Sequence, residues 1–230
     1  DTQVQELMKK LMDIDFGNPS SRHQKGVVAE GYIKEARQKI AATLKVDPKE
    51  LIITSGGTES NNMALIGTAL AAKRKGNHII TTAVEHPSVK ATASFLEEQG
   101  FRITFLSVDS RGQISLEDLK EALTPDTILV SIMYVNNEIG TIQPVEEAAK
   151  LVHATVPGAV FHVDAIQAYG KVMIRPKQQG IDLLSVSSHK FHGPKGAGFL
   201  YCSSKVNLHP IIFGGGQQSG MRSGTENVPG

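Results

Sequence analysis

The sequence predicts an α/β protein, a three-layer αβα sandwich on a mostly parallel, seven-stranded sheet, in a single domain over residues 1–230. Two observations carry that prediction. Short apolar, β-rich runs alternate with helical patterns about seven times, as they do where helices cover a parallel sheet. The runs are also apolar throughout, without polar alternation, as strands are when both faces are buried.

The elements follow in chain order. Val4, Leu7, Met8 and Leu11 recur at helical spacing, so residues 3–12 read as a helix. Phe16-Gly17-Asn18-Pro19-Ser20-Ser21 breaks it. From about 22 to 45, Val28, Tyr32, Ala36, Ile40 and Leu44 share one face of a longer helix. Residues 51–54 read as a strand, Ser55 to Ser60 as a turn, and a helix continues to about Lys73. The basic run Lys73-Arg74-Lys75 suits that helix's C-terminal end, where the dipole favours cations. A strand at 78–82 precedes Pro87, which opens the next helix at a position where its missing N–H costs nothing. Strands at 101–106, 127–133 and 160–163 alternate with helices at 116–123 and 145–153. Strands near 182–186 and 198–202 complete the sheet. No repeat, low-complexity tract or linker interrupts the pattern.

Composition removes several classes of function. With 24 basic and 23 acidic residues the formal charge is +1, too balanced for a dominant basic face, so no nucleic acid is expected. No apolar stretch approaches the roughly 20 residues that span a membrane. No secretory signal is visible, and Asp1 in place of Met reads as a processed or trimmed start. The one cysteine, Cys202, allows no disulfide within the chain and fits a reducing compartment, so a cytoplasmic location is expected. Ending the apolar run 198–201, Cys202 reads as a small buried hydrophobe rather than a nucleophile.

In open α/β sheets ligands bind at the carboxyl ends of strands. Five predicted strands are each followed at once by chemically capable residues. Ser187-Ser188-His189-Lys190 leads into a Gly/Pro-rich loop. A lysine amine there is either an ordinary surface group or, near other cations or partly desolvated, a nucleophile able to form a Schiff base. Ser187 and His189 could hold a phosphate beside it, a combination that suggests pyridoxal phosphate (PLP). Ser55-Gly56-Gly57-Thr58 lets the backbone approach an anion at a helix N-terminus, with the Thr58 hydroxyl as a further donor; a plain helix cap is the other reading. His86 suits ring stacking or acid–base work, or is a satisfied loop histidine. In Val135-Asn136-Asn137-Glu138 an amide either meets a phenolic oxygen or closes an Asx turn. Asp164 follows apolar residues, so its carboxylate is expected to be partly buried and to need a cationic partner. A pyridinium nitrogen is such a partner, and Gln167 lies within reach of the same ring edge. His162 and Asp164 also raise a metal, but no third ligand stands at a helpful spacing and none is expected.

Seven stretches in this order resemble the cysteine desulfurases of the class V aminotransferase group of PLP enzymes. They are FGNPSS (16–21), TSGGTESNN (54–62), EHPSV (85–89), VNNEIGTIQPV (135–145), HVDAIQAYGK (162–171), SSHKFHGPKGAG (187–198) and GGGQQSGMRSGTEN (214–227). The resemblance covers nearly the whole chain. It implies that Lys190 carries the cofactor as a Schiff base, that Asp164 holds the pyridine nitrogen, and that His86 stacks on the ring with a catalytic role. It places Asn137 and Gln167 near the ring substituents and Gly57, Thr58, Ser187 and His189 at the phosphate. Thr225 is similar to the residue that reaches the phosphate of the other subunit, implying a homodimer. It implies L-cysteine as substrate, L-alanine as product, and sulfur passing through an enzyme persulfide to an acceptor protein for iron–sulfur cluster assembly or tRNA thiolation.

Two departures temper that likeness. The family's short N-terminal strand is missing, and so is its last third, the small domain with the sulfur-accepting cysteine and a carboxylate-binding arginine. Cys202 does not match the position of that cysteine. The chain therefore reads as the large, cofactor-binding domain, inactive alone. Selenocysteine lyase and other class V aminotransferases or lyases share the motifs, and a non-catalytic, PLP-binding dimerisation module is the reading from a different class. The polar, glycine-rich stretch 214–227 has little room for a core and is expected to lie against a partner subunit or a missing domain.

Overall fold

The computed structural model describes residues 1–230. Its strands are β1 (Leu51–Thr54), β2 (His78–Thr82), β3 (Arg102–Leu106), β4 (Thr127–Met133), β5 (Val160–Asp164), β6 (Leu183–Ser187) and β7 (Gly198–Cys202). The longer helices are α1 (Thr2–Asp13), α2 (Gln24–Leu44), α3 (Gly57–Ala72), α4 (Pro87–Glu98), α5 (Leu116–Ala122) and α6 (Val145–Thr155). A four-residue helix, α7 (Pro176–Gln179), has no counterpart in the sequence reading, because one helical turn carries no periodicity.

One seven-stranded sheet forms in the order β1-β7-β6-β5-β4-β2-β3. Every neighbouring pair is parallel except those made by β7, which runs antiparallel to both β1 and β6. The ten-residue connection between β6 and β7 needs no crossover helix because the two strands are antiparallel, whereas the parallel steps do.

The apolar strands are explained by cover on both faces. Met63 and Leu65 of α3 with Val89 and Leu96 of α4 pack on Ile52, Ile79, Leu183 and Leu200. On the other face Leu44 of α2, Leu119 of α5 and Val152 of α6 pack on Ile80, Val130, Phe161 and Leu184. Each such side chain, fully buried, contributes about 1.5–3 kcal/mol before ordering costs. The expectation of fully apolar strands fails at β3, where Arg102 and Phe105 are exposed. As an edge strand, β3 is covered less well than those between neighbours.

The other edge, β1, is closed differently. The Ile53 N–H donates to Gln218 Oε1 at 2.9 Å, and Gln218 Nε2 donates to Glu226 Oε1 at 3.0 Å. Arg37 of α2 also donates to Gln218 Oε1. Arg222 Nε meets Glu59 Oε1 on α3 at 2.8 Å. Part of 214–227, expected to lie against a partner or another domain, thus also finds support within its own chain. These residues are held on β1, α2 and α3 of their own chain by side-chain bonds, and Met221 packs against the core. No helix is long and apolar enough to cross a membrane.

Candidate functional site

One cavity of about 180 Å³ is lined by residues that follow β1, β2, β4, β5 and β6. That is smaller than the roughly 300–1,000 Å³ of pockets for drug-sized ligands, and suits a single small ring. Gly57, Thr58, His86, Asn137, Asp164, Gln167, Ser187, His189 and Lys190 all line it. Thr225 does not. It sits in a separate groove with Leu11, Met12 and Phe16.

Each side chain is placed by the end of its strand. Gly56, with φ 145°, holds a backbone conformation that only glycine adopts readily and turns the chain from β1 into α3. Gly57 follows because a Cβ there would lie 2.1 Å from Ile166 Cδ1. No side chain caps α3, so the N–H groups of its first turn keep their capacity to bind an anion. Glu59 steadies this turn by accepting from the Ser55 N–H at 3.0 Å. Although burial works against it, Arg222 and Ser55 hold the Glu59 carboxyl below the usual carboxylate range. Across the cavity, Ser187 Oγ and His189 Nδ1 are hydrogen-bonded at 2.8 Å.

Lys190 ends a single 3₁₀ turn after β6 and is exposed, so the chain itself does not desolvate its amine. It nonetheless lines the same cavity as Asp164. Asp164 is 4% exposed at the end of β5. Its Oδ2 accepts from Asn61 Nδ2 at 2.8 Å and its Oδ1 from the Ile166 N–H at 3.0 Å. Burial pushes its pKa up against those donors. None of the chain's ion pairs includes it. A buried carboxylate held by neutral donors fits a ligand that brings a cationic nitrogen to it.

The neighbouring asparagines divide the two readings offered for them. Asn136 is buried and closes an Asx turn, its Oδ1 accepting from the Glu138 and Ile139 N–H groups at 2.9 and 3.0 Å. Asn137 lines the cavity. His162 is unavailable to a metal, because Ser131 Oγ and Ser185 Oγ occupy its two ring nitrogens at 2.8 and 2.9 Å. Cys202 packs at the far end of β7, where burial pushes its thiol up to about 12.

Three polar residues around the cavity escaped the sequence reading. Glu85 is 3% exposed beside His86. Its Oε1 accepts from Thr82 Oγ1 at 2.9 Å and the Met133 N–H at 2.8 Å, while its Oε2 has no partner. Burial, followed by the nearby Asp164 charge, pushes this acid up to about 8. Asn61 and Ser88 lie behind Asp164 and His86. Asn61 stands four residues after Gly57 on the same helix face, but its partners Ser88 and Asp164 lie 27 and 103 residues away.

An αβα sheet whose strand-end loops gather a lysine, a buried carboxylate and an uncapped helix start defines a cofactor- or substrate-binding α/β enzyme domain. More narrowly, the chain belongs to the aminotransferase class-V family, whose model matches residues 1–230. It is 50% identical over 228 residues to the cysteine desulfurase IscS of Dictyoglomus turgidum, covering 99% of this chain and 57% of that protein. It is 48% identical to the cysteine desulfurase IscS of Methanosarcina thermophila, covering 99% of this chain and 56% of that one. Among solved structures, a NifS-like protein superposes with a TM-score of 0.98 at 43% identity, covering all of this chain and 63% of its own. The chain thus spans less than two thirds of the length of these relatives.

Proposed function

We propose that this chain is the cofactor-binding part of a PLP-dependent cysteine desulfurase, which releases L-alanine from L-cysteine and passes the sulfur on. The observation that carries this reading is the convergence of Lys190, Asp164 and the Gly57–Thr58/Ser187–His189 cradle on one small cavity. PLP bound there supplies an electron sink for bonds at the substrate's α-carbon.

The chain's own residues do the rest. The first turn of α3, the Thr58 hydroxyl, Ser187 and His189 bind the phosphate. Asp164, oriented by Asn61 and the Ile166 N–H, holds a proton on the ring nitrogen. Lys190 binds the cofactor through Nζ, and the same amine takes and returns the substrate's α-proton. Asn137 and Gln167 offer amide donors to the ring substituents. His86 brings a second proton-handling group to the cavity. Thr225, in its separate groove, is the residue for a partner subunit's phosphate in a homodimer. Cys202, the one cysteine of these 230 residues, ends β7 away from the cavity and does not line it, so it is not placed to accept the sulfur. The persulfide therefore forms on a cysteine outside them, and from there sulfur goes to an acceptor protein.

The test is spectroscopic. Adding PLP should produce an absorbance band near the edge of the visible range, and Lys190→Ala should abolish it. No band with the wild-type protein overturns the reading.

A further inference from the structure

Four side chains form a continuous hydrogen-bonded line behind the cavity. Ser88 Oγ lies 2.8 Å from His86 Nδ1. Asn61 Nδ2 donates to Ser88 Oγ at 2.9 Å and to Asp164 Oδ2 at 2.8 Å. The Ser88 backbone N–H also donates to His86 Nδ1, at 3.1 Å. Asn61 is fully buried, and Ser88 and Asp164 are 8% and 4% exposed.

The direction of every bond follows from what each group can do. A backbone N–H only donates, so His86 Nδ1 is an acceptor and carries no proton. The Asn61 amide must turn its NH₂ toward Asp164, since the reverse would set its carbonyl against a carboxylate. Both amide hydrogens are then used, one on Asp164 and one on Ser88 Oγ. Because Nδ1 carries no proton, the Ser88 hydroxyl gives its own hydrogen to it while its oxygen accepts from Asn61. Asn61 Oδ1 finds no partner, so the donor side of the amide is what the site uses.

We propose that Asn61 and Ser88 are positioning residues that hold neutral His86 as its Nε2–H tautomer and tie its orientation to that of the Asp164 carboxylate. His86 then meets a ligand as a hydrogen-bond donor at Nε2, not as a base there. Its Nδ1 takes up a proton only by turning away two donors. The loop after β2 and the end of β5 are thereby coupled through α3, and the groups assigned to the ring face and the ring nitrogen keep one relative placement. This deepens the desulfurase reading and rests on it for its catalytic meaning, but the tautomer itself is a property of this chain.

The experiment is nitrogen NMR of the purified protein labelled with ¹⁵N-histidine, at about pH 9, above the ordinary histidine range. The His86 signals are assigned by their loss in His86→Gln. The expected spectrum has a bare Nδ1 and a protonated Nε2. Asn61→Leu removes the donor that orients the Ser88 hydroxyl toward Nδ1, and should raise the Nδ1–H to Nε2–H ratio about two- to tenfold, the range for one net hydrogen bond. Ser88→Ala should shift the ratio the same way and Ser88→Thr should restore it, whereas a merely structural loss would move stability without moving the tautomer. If Asn61→Leu does not fold, the serine pair decides. A protonated Nδ1 in the wild type, or a ratio unchanged in Ser88→Ala, overturns the proposal. Failure of the cofactor reading would show instead as no adduct on Lys190, with the tautomer unaffected.

Discussion

Two sets of buried polar groups cross this sheet, and they are finished differently. His78, at the amino end of β2, has both ring nitrogens engaged, by Thr127 Oγ1 and Thr104 Oγ1, each at 2.8 Å. His162, within β5, is likewise closed by Ser131 and Ser185. At the carboxyl ends the pattern reverses. Glu85 Oε2 and Asn61 Oδ1 are buried without partners, and Asp164 lacks a cation. Both histidines are satisfied completely, and an unpaired buried polar group costs about 1–3 kcal/mol. Other unpartnered atoms, such as Thr81 Oγ1 and Tyr201 Oη, lie within strands, whereas those of Asn61 and Glu85 stand beside residues that line the cavity.

Glu85→Gln gives the largest expected effect. The acid sits at about 8 in the folded chain against 4.5 in an ordinary setting, so the folded state binds more protons across that interval. Its contribution is intact below about pH 4.5 and lost as pH rises toward 8. The linked cost at alkaline pH is on the order of 4–5 kcal/mol. Glutamine, which mimics the protonated acid, should flatten this slope in urea unfolding midpoints measured from pH 4.5 to 9. An unchanged slope would show that Glu85 is not held as the neutral acid. The groups facing it are Asp164, which raises it, and Lys90, which lowers it.

Asp164→Asn comes next. It keeps the side chain's size but removes the charge and one acceptor, and should weaken PLP binding about 10- to 100-fold, the worth of one charge-assisted bond. Equal affinity in a cofactor titration would break the contrast between open and closed groups. His78→Leu should leave cofactor loading unchanged and cost about 1–3 kcal/mol of stability, by stranding threonine hydroxyls. Burial lowers His78 to about 4, so native His78 binds fewer protons than the unfolded chain. Stability should rise between about pH 4 and 6.5, and the variant should lose that limb in thermal melts. Gln218→Ala, which unpairs the Ile53 N–H on the β1 edge, should cost about 1 kcal/mol in the same melts.

Much of this was legible in sequence because parallel strands read as apolar runs and their loops carry the chemistry. β4 falls at 127–133 as read, and the five strand ends named from the sequence are the five that line the cavity. What escaped has physical reasons. α7 is a single turn, and β3 is exposed because nothing lies beyond it. Asn61 meets Ser88 and Asp164 across 27 and 103 residues, distances over which no local pattern speaks. The tail at 214–227 looked unsupported because its anchors are scattered side chains, Gln218 at Ile53, Arg222 at Glu59 and Met221 on the core, rather than an apolar stripe.

The central claim is that these loops enclose one ring tethered through a single amine. Borohydride reduction of the purified protein loaded with PLP, followed by peptide mass spectrometry, tests it most directly. A phosphopyridoxyl adduct on Lys190 and on no other lysine is the expected result. An adduct elsewhere, or none, would contradict it.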